Sequence, residues 1–220
     1  MATANFPLVD TLVEYLRTHG DGNWYVLLMG PPCSGKTTHG DKLLGKFYTE
    51  SNLNPEMYQK QAYETDRYVS EGGEPIYDDQ GEFRREFLPD ARAWCEKNLD
   101  DACASGWPLV VETNTCLRVE RLIQACQRAQ KYHYRVLFQP PSYGALHMPI
   151  QGVPPDDEEA QIEWMIEQSR NRTRVVPDHV VRRFASDLER MRPIYDSVKG
   201  TTDPSKCVEI LESLQNEHEG

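Results

Sequence analysis

A glycine-rich segment near the start of the chain carries the residue types needed to hold a row of phosphates. It reads GPPCSGKTT and fits G-x-x-x-x-G-K-[ST] at every fixed position. In such a loop, glycines let backbone N–H groups point at phosphate oxygens, the lysine reaches the β- and γ-phosphates, and a hydroxyl ligates Mg²⁺. The predicted nucleotide-binding residues are Gly30, Pro31, Pro32, Cys33, Ser34, Gly35, Lys36, Thr37 and Thr38, with Thr37 also a Mg²⁺ ligand.

The sequence on either side of this loop has the pattern that the motif requires. The apolar run WYVLLM precedes it and predicts a buried strand over 24–29, and a helical pattern begins at Lys36. The N-K-x-D motif that reads guanine does not occur in the sequence. ATP with Mg²⁺ is therefore the expected ligand, and Lys36 is a predicted catalytic residue.

Two acidic residues follow predicted strands at the edge of the sheet where ligands bind. YETDRY places Asp66 after a weak strand pattern over 58–66, where a carboxylate can accept the proton of an attacking hydroxyl. LVVETN places Glu112 at the end of a buried strand, a position suited to a second Mg²⁺ ligand. A purely structural role, as a turn residue for Asp66 or a strand end for Glu112, is the alternative in each case.

A basic segment, SRNRTRVVP, supplies three arginines within one short stretch. Arg170 and Arg174 are predicted catalytic residues and Arg172 a nucleotide-binding residue, because arginines on a lid can close over phosphates and exclude water. The lid is predicted over 157–177. The alternative for these arginines is a solvated basic helix end.

Tyr68 and Tyr77 lie near the acceptor side and either stack on a base or pack internally.

Strand patterns alternate with helix patterns along the chain. Helices are predicted over 7–18, 36–47, 82–104, 117–132, 157–171 and 178–191, and strands over 24–29, 108–114 and 134–141, while 206–214 fits either. This alternation predicts a three-layer α/β fold with a parallel sheet and helices on both faces. One domain is expected over 1–220, with its core at about 24–195 and a tail over 200–220.

Composition limits the classes of partner. The net charge of −11 argues against a broad basic footprint for nucleic acid, and no apolar run is long enough to span a bilayer. The first residues lack the pattern of a secretory signal. Six cysteines without a C-x-x-C pair suit reduced thiols, so a cytoplasmic or nuclear location is expected and the oligomeric state stays open.

The ordered motifs GPPCSGKTT, TDRY, VVETN and RN…R…VP resemble those of phage-type polynucleotide 5′-kinases. They are also similar to the kinase-like module of 2′,3′-cyclic-nucleotide phosphodiesterase. The resemblance covers roughly residues 24–195. It implies a P-loop kinase fold and an ATP-dependent transfer of the γ-phosphoryl group to the 5′-hydroxyl of a nucleic acid. It also implies that Asp66 is the general base and that Arg170, with Arg172 or Arg174, lies on the lid.

Two positions depart from the pattern of these kinases. They usually have aspartate where this chain has Glu112, and the lid is shorter between Arg170 and VVP. The chain also lacks the phosphatase motif of the bifunctional phage enzymes and the H-x-T repeats of the phosphodiesterases. Two alternatives therefore stand beside a polynucleotide kinase: a kinase of a nucleoside, nucleotide or other small metabolite, and a non-catalytic ATP-binding module.

Overall fold

The structure is a computed structural model that describes residues 7–19, 21–32, 34–53, 62–63, 65–78, 82–139, 157–171 and 175–219. Its helices are α1 (Pro7–Thr18), α2 (Lys36–Glu50), α3 (Leu88–Ala104), α4 (Val119–Lys131), α5 (Glu158–Arg170), α6 (Asp178–Val198) and α7 (Pro204–Glu219). Its strands are β1 (Trp24–Leu28), β2 (Ala62–Tyr63), β3 (Leu109–Glu112) and β4 (Arg135–Gln139). Short 3-10 turns span Thr65–Arg67 and Arg85–Phe87. The predicted α/β class is confirmed.

The described strands form one parallel sheet in the order β2-β3-β1-β4. The first connection leads from β1 across β3 to β2, the second from β2 to its neighbour β3, and the third from β3 across β1 to β4. The chain therefore leaves the neighbouring strands β1 and β3 in opposite directions. Open α/β sheets bind ligands at such a reversal, in the crevice beyond the carboxyl ends of the strands. The glycine-rich loop follows β1 there, and the segment after Glu112 follows β3.

Alternate side chains of β1 enter two separate hydrophobic clusters, because successive residues of a strand face opposite sides of a sheet. Trp24, Val26 and Leu28 pack with residues of α1 and α2 on one face. Tyr25 and Leu27 pack on the other face with residues of α3, α4, α5, α6 and α7. Helices thus cover both faces of the sheet, and all five residues of β1 are buried.

Helix α3 begins later than the hydrophobic pattern indicates. The expected start at residue 82 is wrong, because Phe83 pairs with Tyr77 in an isolated antiparallel bridge and α3 starts at Leu88. Pro89 occupies the first turn of the helix, where a missing backbone N–H breaks no helical hydrogen bond. The phenylalanine that fits the helical period therefore belongs to the turn that precedes the helix.

Helix α6 extends beyond its predicted end at residue 191 and continues to Val198, with Pro193 inside it. Proline lacks an N–H and disfavours a helix interior, so local propensity predicts an earlier end. Burial decides otherwise, since Ile194, Tyr195 and Val198 all lie in the larger hydrophobic cluster. Burial in this cluster offsets the lost hydrogen bond.

The segment 206–214, which fits strand and helix equally by pattern, lies in helix α7. Cys207 and Leu211 are both buried in the larger cluster, and their separation of four residues places them on one side of a helix. Helix α7 packs chiefly against α4. None of the described helices is both long enough and apolar enough to cross a membrane.

Helix α2 approaches the sheet most closely at Gly40. A Cβ atom built on Gly40 would lie 2.8 Å from Cγ2 of Thr113 and 3.4 Å from side-chain atoms of Leu28 and Val111. Such a distance to Thr113 is too short for real Cβ contacts, so only glycine lets the helix lie this near to β1 and β3. This contact sets the position of the first turn of α2, which carries Lys36 and Thr37.

We predict that Gly40→Ala destabilises the protein by about 1–3 kcal/mol, because the added methyl group forces the helix away from Thr113. The gain in helix propensity, about 1 kcal/mol, offsets only part of this cost. Urea unfolding monitored by circular dichroism measures the change. Gly72→Ala is the control, since a Cβ there would meet only Ser70 Oγ at an ordinary 3.7 Å. Equal stability of the two variants would contradict the close contact.

Candidate functional site

Two glycines with positive φ shape the loop between β1 and α2. Gly30 has φ 140° and Gly35 has φ 85°, a range that side-chain-bearing residues rarely adopt. Gly35 directly precedes α2, so the chain turns sharply into the helix at Lys36. The N–H of Gly30 donates to the carbonyl of Thr115 at 3.4 Å. The loop is therefore attached to the segment that follows β3.

Lys36 folds back over the loop. Its Nζ donates a hydrogen bond to the carbonyl oxygen of Pro31 at 2.8 Å, and the residue is only 8% exposed. The loop carbonyl thus lies within reach of the ammonium group at the start of the helix. Phosphate oxygens in the same place would be stronger partners for a cation than a neutral carbonyl oxygen.

Two buried hydroxyl groups near the loop have no hydrogen-bond partner among the described residues. They belong to Ser34, in the loop, and Thr113, directly after β3, which are 4% and 2% exposed. Buried polar groups are nearly always hydrogen-bonded in folded proteins. Two such hydroxyl groups at one edge of the sheet therefore indicate a place where a polar ligand supplies the hydrogen-bond partner.

The remaining predicted loop residues lie in the expected order. Pro31 is buried and Pro32 half-buried in the loop, while Thr37 is half-buried and Thr38 exposed in the first turn of α2. That turn contains no acidic side chain, and the N-terminus of a helix presents N–H groups and a positive dipole end that suit an anion. Cys33 lies outside the described residues.

Asp66 lies in a 3-10 turn directly after β2 rather than in the longer strand predicted over 58–66. Tyr63 of β2 and Leu27 of β1 both pair with Glu112 of β3, so the three residues form one row across the sheet. The turn and the loop leave the sheet at the same edge, separated by two strand spacings, or about 10 Å.

The Asp66 turn is attached to two other elements. Arg67 forms an ion pair with Asp41 of α2 at 3.4 Å. Asn114 accepts hydrogen bonds on Oδ1 from the backbone N–H of Thr65 at 3.1 Å and from its hydroxyl at 3.0 Å. The turn is thereby held between the helix that follows the loop and the segment that follows β3.

Glu112, a predicted Mg²⁺ ligand, is 5% exposed and accepts several hydrogen bonds. The hydroxyl of Tyr25 donates to Oε2 at 2.6 Å, and Asn114 Nδ2 and Cys116 Sγ donate to Oε1 at 3.0 Å and 3.4 Å. The carboxylate is thus oriented from two sides. Its role toward a metal ion stays a prediction.

Tyr25 connects Glu112 to a buried arginine on α4. Arg128 donates to the Tyr25 hydroxyl at 3.2 Å and to Asp100 at 2.7 Å, and it pairs with Glu96. Burial, and then the charge of Glu112, raise the pKa of Tyr25 well above its usual value. Tyr25 therefore stays protonated and acts as a donor to the carboxylate at neutral pH.

The structure places Arg170 at the last residue of α5, with an exposed side chain paired to Asp178 at the start of α6. Ser169 is fully buried, and its hydroxyl bonds both the N–H and the carbonyl of Val176, at 2.7 and 2.9 Å. These bonds join the two ends of the basic segment. Arg172 and Arg174 lie outside the described residues.

The two tyrosines near the Asp66 turn make ring contacts within the protein. Tyr68 is 9% exposed, and its ring lies against Trp94 with centroids 6.1 Å apart, so the packing role is confirmed for Tyr68. Tyr77 contacts Phe83 edge to face at 5.4 Å. Phe83 is 43% exposed.

Four residues that position the site are absent from the sequence-based prediction: Gly40, Tyr25, Arg128 and Ser169. Three of them act through partners distant in sequence, and Ser169 acts through Val176, seven positions away. Only Gly40 carries a sequence signal, because a glycine inside a helical pattern indicates a close approach of another element. Tyr25 and Arg128 look like an ordinary strand aromatic and an ordinary surface arginine.

The described residues contain no group of three or more His, Cys, Asp or Glu side chains that could hold a metal ion. Mg²⁺ is commonly held by one or two protein oxygens together with substrate phosphates and water. Thr37 and Glu112 are compatible with that kind of donor set.

Comparison of the chain with models of known protein families finds no match, and comparison with curated proteins finds no significant match.

Burial, together with the nearby charge of Lys42, lowers the pKa of His39 in α2 to about 4. An exposed histidine has a pKa of about 6.5, so the unfolded chain binds a proton more readily than the folded one. We predict that the free energy of unfolding is unaffected by His39 above pH 6.5 and falls by up to about 3 kcal/mol as the pH drops to about 4.

Urea unfolding over this pH range measures the effect of His39. In His39→Gln the fall over this window should be reduced, because the titrating group is gone. His179→Gln, at an exposed position, should keep the wild-type pH dependence. An unchanged pH dependence in His39→Gln would show that His39 does not carry the effect.

Proposed function

We propose that this protein is an ATP-dependent kinase that transfers the γ-phosphoryl group to a hydroxyl acceptor. The observation that carries the proposal is that the glycine-rich loop and the turn that contains Asp66 are both hydrogen-bonded to the segment that follows β3. Thr115 of that segment binds the glycine-rich loop, and Asn114 binds the turn that contains Asp66. A phosphate-binding loop and a carboxylate base are the two parts that such a transfer needs.

The nucleotide half of the site is the loop between Gly30 and Thr38. Its glycine geometry and the N-terminus of α2 are suited to the oxygens of a triphosphate, as is the Ser34 hydroxyl, which has no partner among the described residues. Lys36 would exchange the Pro31 carbonyl for the β- and γ-phosphates and stabilise the charge that develops during transfer.

Thr37 and Glu112 would hold a Mg²⁺ ion together with phosphate oxygens and water. When bound, Mg²⁺ would neutralise negative charge on the phosphates. Thr37 contributes its hydroxyl from the first turn of α2. Tyr25 and Asn114 fix the direction of the Glu112 carboxylate through the hydrogen bonds described above.

Asp66 would act as the general base on the acceptor side. It accepts the proton of the acceptor hydroxyl as that oxygen forms a bond to the γ-phosphorus. The bond between the γ-phosphorus and the β–γ bridging oxygen breaks, and ADP leaves. Arg170, once released from Asp178, would stabilise the phosphates from the lid, as arginines do in other phosphoryl-transfer sites.

The 5′-hydroxyl of a polynucleotide is the acceptor that the resemblance of the motifs favours. One observation favours a second candidate, a nucleoside, nucleotide or other small metabolite. The described region after Asp66 has a net negative charge: Glu71, Glu74, Asp78, Glu82 and Glu86 outnumber Arg67, Arg84 and Arg85. Such a surface repels a long polyanion, because phosphate binding normally requires Lys and Arg contacts.

An assay with γ-labelled ATP distinguishes these acceptors. Equal concentrations of a 5′-hydroxyl oligoribonucleotide, the matching oligodeoxyribonucleotide and free nucleosides are offered with Mg²⁺. Label on the oligonucleotides, with a KM that rises steeply with salt, supports the polynucleotide acceptor. Label on nucleosides alone supports the small-molecule acceptor. ATP binding without label transfer to any acceptor would contradict the kinase proposal and favour a non-catalytic module.

We predict that Lys36→Ala lowers the transfer rate by about 10²-fold or more, because the developing phosphate charge loses its cation. ATP affinity, measured by isothermal titration calorimetry, should fall as well. Lys97→Ala is the matched control, since Lys97 is an exposed lysine on α3 that pairs with Asp101. A Lys36→Ala variant with wild-type transfer would contradict the assignment of the loop.

We predict that Asp66→Asn keeps wild-type ATP affinity but lowers the transfer rate by about 10²–10⁴-fold, because asparagine cannot accept the hydroxyl proton. Single-turnover kinetics at saturating ATP measure the rate of the chemical step. Asp101→Asn, at an exposed position on α3, should transfer at the wild-type rate. Full activity of Asp66→Asn would exclude Asp66 as the base.

A further inference from the structure

We propose that Asn114 is a positioning residue that holds the general base, Asp66, at a fixed position relative to the nucleotide-binding loop. This inference rests on the kinase function proposed above and assigns a role to a residue whose side-chain amide is bonded to other residues of the protein. Asn114 lies two residues beyond the end of β3 and is half-buried between the two halves of the site.

Every hydrogen-bonding position of the Asn114 amide is used. Oδ1 accepts from both the backbone N–H and the hydroxyl of Thr65, at 3.1 Å and 3.0 Å. Nδ2 donates to Glu112 Oε1 at 3.0 Å and to Cys95 Sγ at 3.4 Å. Two acceptor and two donor positions are all that an amide side chain has, so its location is tightly determined.

The chemistry of the neighbours defines which end of the amide faces which partner. A flipped amide would place its oxygen against the Glu112 carboxylate and its NH₂ group against the N–H of Thr65, and both contacts would be repulsive. Asn114 therefore connects a carboxylate acceptor on one side to a backbone donor on the other. Neither aspartate nor leucine, which have similar size, can make both contacts.

The partners of Asn114 are themselves held on the nucleotide side. Glu112 is oriented by Tyr25 and Cys116. Thr115, the next residue in the chain, accepts the hydrogen bond from Gly30 of the loop. Cys116 has φ 46°, an uncommon conformation for a non-glycine residue, and the hydroxyl of Tyr195 donates to its carbonyl at 3.3 Å.

This arrangement gives Asn114 a specific mechanical role. The turn of Thr65 is bonded to Asn114, and Asp66 is the next residue of that turn. Loss of the amide would release the turn and shift the Asp66 carboxylate relative to the γ-phosphate. The loop that binds ATP would keep its own contacts, and Glu112 would keep its hydrogen bonds from Tyr25 and Cys116. A displacement of about 1 Å in a transfer site costs up to about 10²-fold in rate.

We predict that Asn114→Ala lowers phosphoryl transfer to the hydroxyl acceptor by about 10²-fold while its ATP affinity stays within a factor of about three of wild type. Slow hydrolysis of ATP by water, which does not depend on the acceptor side, should change less than transfer. The Thr65 amide should exchange hydrogen for deuterium faster. Thr65→Val removes one of the two bonds to Asn114 and should lower transfer by about tenfold or less.

Asn98→Ala is the matched control. Asn98 is also a half-buried asparagine, and its Nδ2 donates to the Trp94 carbonyl within α3 at 2.8 Å. It should keep wild-type transfer and wild-type exchange at Thr65. The double variant of Asn114→Ala and Thr65→Val should lose little more activity than Asn114→Ala alone, because both changes break the same contact.

Two results would overturn the proposal. One is unchanged transfer and unchanged Thr65 exchange in Asn114→Ala. The other is a parallel fall of transfer, ATP affinity and melting temperature, which would indicate a general structural role. If the wild-type protein transfers phosphate to no acceptor, the proposed kinase function is wrong. Hydrogen exchange at the Thr65 amide still tests whether Asn114 holds the turn. Unchanged exchange at Thr65 in Asn114→Ala would overturn the proposed role of Asn114.

Discussion

The arrangement of this site depends on the hydrogen bonds of one short segment, Glu112 to Thr115, at the carboxyl end of β3. The strand order places β3 between β1 and β2, so the segment after β3 lies between the loop after β1 and the turn after β2. Thr115 bonds the loop through Gly30, and Asn114 bonds the turn through Thr65. Parallel pairing alone would bring the two halves to one edge, and these bonds set their relative position.

A buried polar network supports this segment from within the sheet. Glu112 accepts from Tyr25, which accepts from Arg128, and Arg128 in turn pairs with Asp100 and Glu96 near the surface. Burial of a polar group without hydrogen-bond partners is costly, and the network supplies donors to the buried Glu112 side chain. Loss of the Tyr25 hydroxyl would remove a hydrogen-bond partner from both Glu112 and Arg128, which are buried, and leaving buried groups short of a partner is more costly than the bond itself.

The sequence predicted the strands and helices well where the pattern was strong and local. The apolar run of β1, the helix that starts at Lys36 and the strand that ends at Glu112 all lie where their periodicity indicates. The start of α3 and the end of α6 were predicted wrongly. At the first, Phe83 matches the helical period but pairs with Tyr77, and at the second, burial of residues beyond Pro193 overrides the proline.

The sequence by itself determined the candidate chemistry, because the glycine, lysine and hydroxyl spacing of the loop is a local property of consecutive residues. The same holds for the expectation that acidic residues at strand ends gather at one edge of a parallel sheet. Only the tertiary structure decided which residues position that chemistry. Asn114 bonds Thr65 across 49 positions of sequence, and Arg128 bonds Tyr25 across 103. Such contacts have no period or motif, since they arise from the strand order and from the packing of helices on the sheet.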